Sequence, residues 1–70
     1  MMQTDSLPVR AGKNLKRIIK EHGLTQEKFA DQISVDATTV RRWLSNGIDK
    51  LSTLEQIAKF FNISVYDILL

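Results

Sequence analysis

GLTQEKFADQISVDATTVRRWLSNG, residues 23–47, holds two short helical patterns with only Ser34, Val35 and Asp36 between them. Thr25 has the hydroxyl of a helix N-cap, and Phe29, Ala30 and Ile33 then recur on one side at helical spacing. Asp36 offers a second cap. After it Val40, Trp43 and Leu44 turn inward, while Thr38, Arg42 and Ser45 turn outward with Arg41 beside them. Asn46 and Gly47 end the pattern. Two helices this short and this close must cross, and a crossing needs a small side chain, which Ala30 supplies. Ile33 and Val40 would lock the angle from inside.

Outward from this stretch the helical period continues. Towards the amino terminus, Ala11, Leu15, Ile18, Ile19 and His22 share one face, with Lys13, Lys16, Arg17 and Lys20 opposite. This predicts a first helix over about residues 10–22, stopped by Gly23, with residues 1–9 as a flexible arm ending near the single proline. Towards the carboxyl terminus, Ser52 to Glu55 has capping-box spacing and opens a fourth helix burying Leu54, Ile57, Ala58 and Phe61. Ser64 to Asp67 repeats that logic for a last helix with Val65, Ile68 and Leu69 inward. No segment alternates with period two, so the expected fold is all-α, five short helices over residues 10–70.

The bulk numbers agree with one small globular domain. Seventy residues with 43% hydrophobic content and a net charge of +2 fit a packed chain, and no ligand-sensing or oligomerisation domain is expected within it. No cysteine is present, so there is no disulfide frame or thiolate metal site, and a cytoplasmic chain is expected. No signal peptide or membrane-length apolar run appears, so no membrane role is expected. The charge runs from +3 in residues 1–23, through zero in 24–45, to −1 in 46–70. The basic excess therefore sits at the amino-terminal end.

Two short helices joined by a three- or four-residue turn form the unit that lays its second helix in the major groove of DNA. Residues 23–47 resemble the helix-turn-helix of the Cro and lambda-repressor family, the Xre-like regulators. The likeness rests on Gly-Leu-Thr-Gln at 23–26, Ala30 four residues after the glutamine, and the aliphatic and aromatic pair in the second helix. It extends through LEQIAKFFNISVYDIL, residues 54–69, similar to that family's fourth and fifth helices.

The resemblance implies a compact lambda-repressor-like domain, a small bacterial or phage-type transcriptional regulator that binds double-stranded DNA. It puts Ala37, Thr38 and Arg42 at base-reading positions. Arg42 suits the O6 and N7 acceptors of guanine, Thr38 can donate or accept, and the Ala37 methyl can meet a thymine methyl. Gln26, at the start of the helix before, is expected on a phosphate, as the free N–H groups there also favour. Thr39 and Arg41 flank the reading stripe and suit phosphates, with Arg17 from the first helix and Lys50 from the following loop. The family's habit of pairing through its carboxyl-terminal end implies a homodimer on a near-palindromic site, with the spare apolar residues Phe60, Tyr66 and Leu70 at its interface.

Two departures stand out. Ser34 occupies a turn position where the family has glycine, and a left-handed backbone there would cost serine about 1 kcal/mol. The spacing from Trp43 to Leu51 is also offset from the family pattern. Asp36, a carboxylate that would repel phosphate, is assigned to capping. Trp43 reads as core and not as a stacking platform. The lone His22 and eight acidic residues without paired spacing suggest no metal, cofactor or enzyme site. The competing reading is a protein-interaction module, such as an antitoxin-like chain that uses the same fold to hold a protein partner.

Overall fold

The computed structural model describes residues 5–70. Its first helix, α1, spans Leu7–Glu21 and begins three residues before the periodicity predicts. Ser6 is the N-cap, its hydroxyl accepting from the Val9 N–H at 3.4 Å, and Pro8 stands in the first turn. Proline is at home there because that turn's N–H groups have no helical partner anyway. The arm expected over residues 1–9 is thus helical from Leu7 onward, while residues 1–4 lie outside the described part. A further tie holds this end: Asp5 accepts from the Lys13 ammonium at 2.8 Å.

The helix-turn-helix pattern is realised as α2, Gln26–Ile33, and α3, Ala37–Asn46. Thr25 caps α2 by accepting from the Lys28 N–H at 3.1 Å. Ser34 does adopt the left-handed conformation, with φ of 65°. Its neighbour Val35 donates to the Ala30 carbonyl at 2.9 Å, closing a Schellman-type end. The same device ends α1, where Leu24 donates to Ile19, and α4, where Ile63 donates to Ala58. In each case the aliphatic residue after the left-handed one packs onto the core. Asp36 occupies the N-cap position of α3 but makes no side-chain capping bond, contrary to its expected role. Its carboxylate stays exposed, so what it can supply is charge beside the positive end of the helix dipole.

Helix α4, Leu51–Phe61, starts one residue ahead of Ser52, with Lys50 in the cap position, so the capping box expected at residues 52–55 does not form. The cause lies in the preceding loop. Ile48 is buried and its N–H donates to the Pro8 carbonyl at 2.9 Å, fixing where the chain re-enters a helix. Gly47 makes this docking feasible: its φ is 104°, and a β-carbon there would stand 2.7 Å from Pro8 main-chain atoms. Helix α5, Val65–Leu69, carries the reciprocal box as read, Asp67 N–H to Ser64 Oγ at 3.3 Å and Ser64 N–H to Asp67 Oδ2 at 3.0 Å.

The core takes one large side chain from each helix, Leu15, Phe29, Val40, Ile57 and Ile68, all fully buried. Nearly every inward residue named from periodicity falls here or against it. α1 packs on α3 and α5, α2 on α3, and α4 on α5. Asn14 secures the short α5 by donating to the Ile68 carbonyl at 2.6 Å. No strand occurs among the described residues, and the fold is the expected five-helix all-α domain.

Candidate nucleic-acid interface

Val40 is fully buried, and Ala37, Trp43 and Leu44 are half-buried around it. At 3.6 residues per turn this leaves Thr38, Arg42 and Ser45 on the opposite side of α3, and all three are exposed. Ten residues make a rod about 15 Å long, slim enough for a major groove ~12 Å wide. The Ser45 hydroxyl is turned back on its own helix, donating to the Arg41 carbonyl at 2.9 Å. Thr38 and Arg42 are the exposed polar groups at the centre of the stripe, the Thr38 hydroxyl accepting from Arg41 Nη2 at 3.4 Å. Ala37 presents only part of its methyl, since it also packs against the core.

Two concave flanks border α3. On one side, Lys16, Gln26, Arg41 and Ser45 surround Leu44, and this hollow adjoins another lined by Lys16, Lys20, Thr25 and Gln26. It lies at the start of α2, where unbonded N–H groups favour an anion. On the other side, Thr39, Arg42, Lys50 and Thr53 line a hollow with Trp43 at its wall, together with Asp49. The expected backbone residues Gln26 and Arg41 thus share one flank, and Thr39 and Lys50 the other. The exposed stripe of α3 therefore lies between two cation-bearing flanks.

Arg17 is not part of this arrangement. Its Nη1 lies 3.2 Å from both carboxylate oxygens of Glu21, on a part of α1 that borders neither hollow. Lys16 and Lys20 stand at the flank instead. The sequence holds a signal for this that periodicity alone passes over. Gly12, Lys16 and Lys20 follow one another at four-residue steps, and a glycine inside a helix marks a close crossing. Gly12 is buried against α3, so the lysines one and two turns on face the same way. Glu27, exposed near the stripe, was also not singled out by sequence.

On α5 and just after it, Tyr66 and Leu70 are 70% and 78% exposed. Phe60 is not spare in the same sense. Its ring meets Phe29 edge-on at 5.4 Å and Phe61 at 4.9 Å, as part of an aromatic cluster against the core. His22 covers the outer side of that cluster, 4.6 Å from the Phe61 ring.

A helix-turn-helix family model matches residues 15–68. The chain is 37% identical over 59 residues to the antitoxin PezA of Streptococcus pneumoniae serotype 4 (strain ATCC BAA-334 / TIGR4), covering 81% of this chain and 37% of that protein. It is 34% identical over 62 residues to the HTH-type transcriptional activator BcrR of Enterococcus faecalis, covering 87% of this chain and 26% of that one. The chain therefore spans about a third or less of the length of these relatives. Among solved structures, the SOS-response transcriptional repressor LexA from Eubacterium rectale superposes with a TM-score of 0.80 at 26% identity, over 99% of this chain and 74% of that chain. A transcriptional regulator from Listeria innocua gives 0.71 at 28% identity, over 84% and 56%. The chain belongs to the helix-turn-helix family of the Cro and lambda-repressor, or Xre, type.

Proposed function

We propose that the chain binds double-stranded DNA sequence-specifically, as the DNA-reading domain of a transcriptional regulator of bacterial or phage type working in the cytoplasm. The observation that carries this reading is the exposed stripe of α3 between two cation-bearing hollows. Thr38 and Arg42 read base edges, with the Ala37 methyl at the start of the helix. Gln26, Arg41, Lys16 and Lys20 hold one backbone, and Thr39 and Lys50 hold the other. Arg17, already paired with Glu21, adds little. Binding to random duplex DNA should weaken steeply with salt, because each phosphate contact releases counterions. A protein that fails to bind duplex DNA even at low salt would contradict the proposal.

The pairing surface follows from exposure. Tyr66 and Leu70, with Phe60 supporting from the core side, would join two copies, setting two α3 helices about 34 Å apart on a near-palindromic site. Sedimentation of the wild type on selected DNA should show two chains per site. Tyr66→Ala with Leu70→Ala should reduce that to one, and a dimer untouched by both changes would remove this assignment.

The similarity to an antitoxin supports a second reading, in which the same fold holds a protein partner. The low-salt binding experiment separates the two, since a module that only holds protein shows no affinity for duplex DNA.

A further inference from the structure

Three ion pairs occur among the described residues, and only one of them lies on the face that would meet DNA. Arg41 Nη1 is 3.6 Å from Glu27 Oε2, joining the outer side of α3 to the first turn of α2. The other end of the same guanidinium donates from Nη2 to the Thr38 hydroxyl at 3.4 Å. Arg41 thus bridges a carboxylate and a base-reading residue. Both side chains of the pair are more than half exposed, and such pairs contribute little to stability. Its consequence must be sought in binding. A carboxylate beside a phosphate-facing arginine weakens attraction to any polyanion.

We propose that Glu27 is a specificity-determining residue, holding Arg41 away from phosphate until Thr38 finds a base partner. On random DNA the Thr38 hydroxyl gains nothing by leaving Arg41. Arg41 then stays with Glu27, and one cation is withheld from sequence-independent attraction. On a cognate site Thr38 turns to a base edge, and Arg41 exchanges the hydroxyl and the carboxylate for a phosphate oxygen. The arginine then strengthens binding mainly where the bases are right, which is how a charged contact without sequence information of its own comes to serve discrimination.

This rests on the DNA-binding reading, and the test keeps the two apart. Wild-type protein, Glu27→Gln, Arg41→Gln and the double variant are titrated against random duplex and against a duplex enriched by selection, over a series of salt concentrations. Glu27→Gln should bind random duplex several-fold more tightly than wild type, with a log–log salt slope steeper by about 0.9, the value of one added phosphate contact. Its affinity for the selected duplex should change far less, so the ratio between the two falls. In the Arg41→Gln background the same substitution should lose this effect. If Glu27→Gln strengthens both duplexes equally, or acts undiminished without Arg41, the carboxylate is a general repulsive charge and the proposal fails. Absence of duplex binding by the wild type would overturn the DNA-binding reading itself, and this proposal with it.

Discussion

Gly12 lies so close to the main-chain carbonyl of Trp43 that a β-carbon on the glycine would collide with that oxygen. The crossing of α1 and α3 is therefore set by backbone meeting backbone, and it determines which lysines of α1 stand beside α3. Alanine at position 12 would raise helix propensity by about 1 kcal/mol, but overpacking a site walled by backbone costs about 1–3 kcal/mol. We expect Gly12→Ala to lower the melting temperature by several degrees and to weaken DNA binding by displacing Lys16. A variant that melts above the wild type would show that propensity prevails and that the approach is looser than described.

Ser34 gives a prediction of the opposite sign. A serine at φ of 65° carries strain that glycine lacks, so Ser34→Gly should stabilise the domain by up to about 0.5 kcal/mol after the added freedom of the unfolded chain is set against it. DNA affinity should be unchanged, because Ser34 lies in the turn and not on the outer stripe of α3. Thermal melts of the two proteins check this, and a lower melting temperature for the glycine variant would contradict it.

The two neighbours on α1 should behave differently. Lys16 lines both hollows on the α2 side of α3, so Lys16→Ala should reduce the magnitude of the salt slope by about 0.9 and weaken binding to all sequences alike. Arg17→Ala should leave the slope nearly as it is, since its charge is shared with Glu21. Titrations against random duplex at several salt concentrations separate the two, and an equal loss for both would mean that α1 offers only diffuse charge.

Periodicity and turn chemistry made most of the fold legible from sequence. Inward residues of all five helices were readable, as were the caps at Thr25 and Ser64 and the stops at Gly23 and Gly47. Start points were less so, for reasons specific to each. Pro8 reads as the end of a flexible arm but sits in a first turn, and the start of α4 is set by a tertiary bond from Ile48 to Pro8 that no local pattern encodes. Asn62 takes the same left-handed stop as Ser34 and Gly23, again followed by an aliphatic residue, a repeated signal the residue types partly hide. In the candidate site, the stripe of α3 could be read from its own helix. The choice of Lys16 over Arg17 lies in its spacing from Gly12, which the helical period alone passes over, and the Arg41–Glu27 pair could not be read, since it depends on how two helices sit together.

Selection of bound sequences from a random duplex pool, with wild type and Arg42→Ala side by side, tests the central claim most directly. The account predicts that the wild type enriches a defined site. It predicts that Arg42→Ala weakens binding to that site by about 1–3 kcal/mol and loses preference at one base position in each half, as the removal of a bidentate contact to a base requires. A pool that stays random under wild-type selection, or a variant with every base preference intact, would contradict it.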